Sequence, residues 1–445
     1  MRSEQSFCAF SCAPPSFGSG ASSQLSLGAR LNATASLGYN RLARTVLPNQ
    51  GASMPATASY TARSTQEFGL SLLAELAAHS KENICISPIS ICLCLQLALY
   101  GARGTTAAEI LKTLAILAPD RESLPGDAEK LMKRLETLPS HSSFEGPGAS
   151  VKLALANSIW VHDAVQINSN YAAVLQDKYK AACTSLDFGA PQSLNIINSW
   201  VDQATAHKIP GILDKLEPSN MLVLINCAYF KARWNQQFLP EHTTNRDFHL
   251  SNNTVLQVPT MQMEEAWLPY SENENGQIVQ LDYTDSRFSM YVLLPAKGAN
   301  LNTFVSELTF ERWQSCVSQL RVHQGIFALP KFKLEFMVEL KDSLKKLGMT
   351  QAFSGEADFL NMLGAEQDLP EVFGISKVIH RTFIAVDEQG TEAAAATAIV
   401  MWGSAAIPAP PPPFKMIVDR PFLYAVCDKS TGTILFLGTV IDPRN

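Results

Sequence analysis

Helical patterning comes first in this chain and strand patterning later, and that order restricts the fold more than any single motif. Residues 65–80, TQEFGLSLLAELAAHS, and 127–138, DAEKLMKRLETL, repeat apolar positions at helical spacing. Later runs such as FSMYVLLP (288–295) and GTILFLGTVI (432–441) are β-branched, aromatic and short, as strands are. A doubly wound parallel sheet requires the two patterns to alternate regularly, and here they do not, so the fold class is α+β. With 445 residues, 46% hydrophobic and 17% charged, the chain has enough apolar surface for one large core or two ordinary ones.

The first 63 residues stand apart. They are rich in Ser, Ala and Gly, and between Glu4 and Glu67 there is no acidic residue, although Arg30, Arg41, Arg44 and Arg63 are present. This composition fits a transit peptide or a disordered tail, and the apolar stretch FCAFSCAPP is too short for a signal peptide. The expected organisation is therefore a leader over 1–63 and one domain over 64–445.

Several functions are excluded or weakened. A net charge of −6 with no basic run argues against a nucleic-acid partner. The longest apolar stretches, such as MLVLINCAYF (221–230), fall short of the roughly 20 residues a membrane-spanning helix needs. There is no GxSxG elbow, HExxH, P-loop, GxGxxG or EF-hand loop, so no enzyme chemistry, metal site or cofactor site is indicated. Nine cysteines without a CxxC pair read as free, mostly buried thiols, a weak pointer to a reducing compartment.

Residues 386–407, VDEQGTEAAAATAIVMWGSAAI, are harder to place. Four alanines, Ala393 to Ala396, favour a helix, yet they follow Gly390, lead into β-branched Thr397, Ile399 and Val400, and precede the polyproline run PAPPPP at 408–413. No proline lies between Val386 and Ile407, so every backbone amide there is free to join a β-ladder. The segment is able to live in two conformations.

From STQEFGLSLL to the C-terminus the chain resembles the serpin family. The segments that carry the likeness are NICISPISICLCLQLALYGARGTTAAEI (83–110), NCAYFKARWNQQFLPEHTTNRDF (226–248), VPTMQM, MYVLLP, LPKFKLE, LKKLGMTQAFS and the closing DRPFLYAVCDKSTGTILFLGTVIDP, in the family's order. The resemblance implies three β-sheets, about eight or nine helices and an exposed reactive-centre loop near 388–414. It also implies a monomer without cofactor or metal that inhibits serine proteases as a suicide substrate, the cut loop inserting as a new strand into the main sheet. A non-inhibitory carrier or chaperone is the other role the family offers. An extracellular setting is the family's more common one.

The resemblance assigns residues as well. The hinge is Glu388, Gly390, Thr391, Glu392, Ala393, Ala394, Ala395, Ala396 and Thr397, and in an inserted strand Thr391, Ala393, Ala395, Thr397, Ile399 and Met401 take the inward parity. A polar network of Ser87, Ser90, Asn198 and His380 guards the opening of the sheet, and Trp234 with the pair Lys331 and Glu388 holds the loop at its top. Family spacing puts the reactive bond at Ser404–Ala405, suiting an elastase-like or subtilisin-like protease. The long proline-rich segment leaves Met401 and Trp402 open as alternatives, which suit a chymotrypsin-like or a cysteine protease. Since no Lys or Arg occurs from Thr391 to Phe414, a trypsin-like target is excluded. Lys130, Lys133 and Arg134 offer a polyanion little, being interleaved with Glu129 and Glu136.

Overall fold

A computed structural model describes residues 59–116, 121–136, 151–364, 370, 373–391 and 412–444. Among these, nine α-helices form: α1 (Tyr60–His79), α2 (Pro88–Gly101), α3 (Gly104–Thr113), α4 (Leu124–Glu136), α5 (Ser169–Tyr179), α6 (Pro191–Ala204), α7 (Leu301–Ser306), α8 (Phe310–Ser318) and α9 (Lys341–Lys346). The strands are β1 (Ile84–Ile86), β2 (Lys152–His162), β3 (Ala182–Leu186), β4 (Leu222–Arg233), β5 (Thr244–His249), β6 (Val255–Asn273), β7 (Gly276–Asp282), β8 (Phe288–Pro295), β9 (Arg321–Pro330), β10 (Phe332–Glu339), β11 (Ile375–Asp387), β12 (Gly390–Thr391), β13 (Phe414–Ile417), β14 (Phe422–Asp428) and β15 (Thr433–Val440).

Six strands make one sheet, ordered β10-β11-β12-β4-β2-β3. The others form a nine-stranded sheet, in the order β1-β15-β14-β8-β7-β6-β9-β13, with β5 attached to β6 off that path. Strand β6 explains why two of the three expected sheets are hydrogen-bonded to each other. It is 19 residues long, pairs with β5 and β9 over most of its length, and hands the ladder to β7 at its far end.

Helix α2 is buried along almost its whole length and packs against β2, β4 and β15, so it lies in the core between the sheets. Its start is fixed by Ser87 as N-cap and by Pro88 in the first turn. Helix α1 begins at Tyr60, four residues ahead of the domain boundary expected from composition. The cause is remote in sequence. Asp127 of α4 accepts from Ser59 Oγ at 2.7 Å, Thr61 N at 3.0 Å and Thr61 Oγ1 at 2.8 Å, satisfying donors that the first turn leaves open. Among the described residues no helix is long and apolar enough to cross a membrane. The seven described cysteines are free, and five of them are buried.

Candidate functional site

The site begins as a seam in the six-stranded sheet. Strands β11 and β4 run parallel and pair directly from Ile375 with Leu222 up to Phe383 with Tyr229. Above that point they part, and β12 lies between them, antiparallel to both. Gly390 stands opposite Asp387 and Arg233, and Thr391 opposite two buried residues, Val386 and Ala232. Only glycine fits the first of these positions: its φ is +150°, and a Cβ there meets Ala232 O at 2.2 Å.

The chain entering this gap is held by main-chain bonds. Trp234 donates from its backbone N to Gln389 O and from Nε1 to Asp387 O, both at 2.9 Å, while its ring stacks on Tyr283 at 4.6 Å. Phe238 N donates to Glu388 O at 2.9 Å. Lys331 Nζ donates to both carboxylate oxygens of Glu388, at 2.8 and 3.1 Å, and Thr243 Oγ1 adds a bond of 2.8 Å. Burial by itself raises the Glu388 carboxyl, yet Lys331, the residue's own amide and Thr243 together hold it below the usual carboxylate range. The far end of the loop is fixed where β13 joins β9: Phe414 stacks on Tyr270 at 4.3 Å and lies against Gly325, where any Cβ collides with its ring. Glu392 to Thr397, Met401, Trp402, Ser404 and Ala405 lie outside the described residues.

Beneath the seam is a polar network with one member other than expected. His380 accepts from Ser87 N at Nε2 (3.0 Å), so its proton sits on Nδ1, which donates to Asn226 Oδ1. Asn226 Nδ2 reaches Ile379 O at 3.3 Å, Ser87 Oγ donates to Leu435 O at 2.6 Å, and Ser90 Oγ reaches Asn157 Oδ1 at 3.4 Å. Asn198 is not part of this group. It sits on α6, on the opposite face of the sheet, where its amide is spent on the backbone of Ile212 and Leu213. The asparagines that complete the network are Asn157 and Asn226, which face each other across β2 and β4. Parity in β4 carried the signal for Asn226: it shares the core-facing set of Leu222, Leu224, Ala228 and Phe230, and is the one polar residue in it.

His380 gives a pH prediction. Burial pushes its imidazole down to about 3 from the usual 6.5. A second ring proton has no acceptor, because Nε2 would then face the Ser87 N–H. With the folded pKa depressed, the unfolded chain binds more protons between pH 6.5 and 3, so stability falls as pH falls through that window. Denaturation at pH 5 should yield about 2 kcal/mol less stability from this group than at pH 7. His380→Gln should flatten that difference. An unchanged pH profile in the variant counts against the assignment.

These elements, in this order and around this seam, match one family. The family model described as Serpin (serine protease inhibitor) matches residues 63–443. The chain belongs to the serpin family. Serpin-Z1C of Triticum aestivum is 34% identical over 393 residues, covering 84% of this chain and 94% of the relative. Among solved structures, Serpin48 of the insect Tenebrio molitor is 30% identical with a TM-score of 0.71, covering 88% of this chain and all of that one. Human thyroxine-binding globulin, at 24% identity and a TM-score of 0.75 over 87% of this chain and 99% of its own, shares the fold. The family is in general one of serine protease inhibitors, with non-inhibitory members among it. In this serpin Lys133 of α4 pairs with Glu129 at 2.6 Å, and the same carboxylate pairs with Lys178 of α5 at 2.7 Å.

Proposed function

We propose that this serpin is an inhibitor of the suicide-substrate type. The observation that carries the reading is β12. The first two residues of a strand antiparallel to both neighbours are already seated between β4 and β11, and Thr391 occupies a register whose partners face the core. Continuing the alternation gives Ala393, Ala395, Thr397, Ile399 and Met401 the same face, all small or apolar, and puts Glu392 on the other. Insertion then exchanges one parallel ladder for two antiparallel ones, which are slightly more stable per residue.

The protease's serine oxygen attacks the carbonyl carbon of Ser404 and displaces the nitrogen of Ala405, leaving an ester. The cut loop inserts before water reaches that ester, and the protease stays attached. Small residues on both sides of the bond favour an elastase-like or subtilisin-like pocket. Met401 and Trp402 are the alternative sites for a chymotrypsin-like enzyme. The human thyroxine-binding globulin has the same fold, so the fold alone does not separate inhibitor from carrier; the unobstructed hinge favours the inhibitor.

Incubation with elastase, subtilisin and chymotrypsin should leave a band on denaturing gels equal to the two masses combined, and sequencing the released peptide locates the bond. Trypsin should give none. Cleavage by every member of the panel without any such band sinks the proposal.

A further inference from the structure

The closed part of the seam ends at an aromatic rung. Tyr229 of β4 and Phe383 of β11 are the last pair of the parallel ladder, and above them the two strands no longer pair with each other. The two side chains have the parity opposite to the core-facing Ala228, Phe230 and Ile384, so they meet on the outer face of the sheet. There the ring centroids are 5.9 Å apart and the planes tilted by 44°. Both residues are buried despite that face, with 5% and 9% of their surface exposed. Lys333 of β10 adds its ammonium 5.2 Å over the Phe383 ring.

A strand lengthening from β12 reaches this rung at a fixed residue. Thr391 stands opposite Ala232 and Val386. Three residues on is Ala394, and three residues back along the two neighbours are Tyr229 and Phe383. The two counts agree, so Ala394 is the residue that enters between the rings. Glu392 and Ala393 precede it, at levels where β4 and β11 are already unpaired, and Ala394 meets the first closed rung. A strand placed there moves the rings one further ladder spacing apart, about 4.8 Å, which carries them past the roughly 7 Å limit of ring contact. The methyl group of Ala394 restores little of that contact.

We propose that Tyr229 and Phe383 are positioning residues for the inhibitory step. Their ring pair stops the seated strand of the intact form near Thr391, and it is the first contact that the entering loop has to break. This rests on the insertion reading above. The pair thereby sets how quickly the cut loop enters, and so how much inhibitor is lost to hydrolysis of the ester.

The test uses a synthetic peptide of residues 391–404, TEAAAATAIVMWGS, annealed into the intact full chain and followed by native gel and by melting temperature. Phe383→Leu keeps an apolar side chain but loses the ring pair, and should take up the peptide about fivefold faster than the parent. Tyr229→Leu should do the same from the other strand, and keeps the test open where Phe383→Leu does not fold. Because both remove one contact, the double variant should be no faster than the faster single. Tyr291→Leu separates this role from general loosening. It breaks an edge-to-face pair with Trp313 in the other sheet, at 5.5 Å, so it should lower the melting temperature and leave the annealing rate within twofold of the parent. Equal rates in parent and seam variants, additive rates in the double variant, or a Tyr291→Leu as fast as Phe383→Leu overturn the role of the ring pair and leave insertion standing. A parent that takes up no peptide overturns insertion itself.

Discussion

Cutting the loop should raise the melting temperature of this serpin by about 12 °C. Cleavage normally loosens a protein, so the sign of this result is diagnostic. The intact seam already holds the first turn of a new strand, Gly390 and Thr391, between β4 and β11, while below them the two strands pair only with each other. Completing the strand makes on the order of ten more backbone hydrogen bonds than it breaks, at about 1 kcal/mol net each. Spread over an unfolding entropy of about 0.8 kcal/mol/K for a domain of roughly 380 residues, about 10 kcal/mol corresponds to that shift. The intact form is then a kinetic trap above the inserted one. Melting the intact chain beside chain nicked by elastase or subtilisin decides the matter. Identical melting temperatures mean that the loop does not insert, and they favour the carrier reading.

What could be read in the sequence was whatever is local or periodic. The α+β class followed from helical runs preceding strand runs, and the glycine at 390 followed from its place ahead of an alanine run. Contacts between distant segments were less legible. The start of α1 depends on Asp127, 66 residues beyond Thr61, and nothing near Tyr60 announces it. The polar network required choosing among asparagines. Asn198 lies in a helix whose amphipathic pattern hides which sheet face it covers, whereas Asn226 interrupts an apolar strand at a core-facing position, a signal that strand parity makes readable. The pair of Lys331 and Glu388 is assigned by family position alone; its worth comes from Glu388 having only 13% of its side chain exposed, and burial of that kind is a property of the assembled mouth.

Thr391→Arg should convert the inhibitor into a substrate. Thr391 already fills the register opposite Val386 and Ala232 from which the strand must lengthen, and both partners are buried. An arginine at that register puts an unpaired guanidinium into apolar surroundings, at a cost of several kcal/mol even after relaxation. The proposed scissile bond, Ser404–Ala405, lies thirteen residues further on, so attack by the protease and formation of the ester should proceed as before. Insertion alone is delayed. If only about 2 kcal/mol of the cost is felt in the transition state, insertion slows about thirtyfold, and hydrolysis of the ester gains by the same factor. The number of inhibitor molecules consumed per protease trapped should rise accordingly, while the rate of loop cleavage stays within about twofold. Glu392→Arg, on the opposite parity, should change the ratio by less than about twofold, because the strand's other face is the one that Glu335 and Lys333 of β10 present to solvent. Titration of each variant against subtilisin or elastase, with cleaved and complexed products separated on gels, gives the ratio directly. Should Glu392→Arg prove the more damaging of the two, the inserted strand has the opposite register from the one that Gly390 and Thr391 begin.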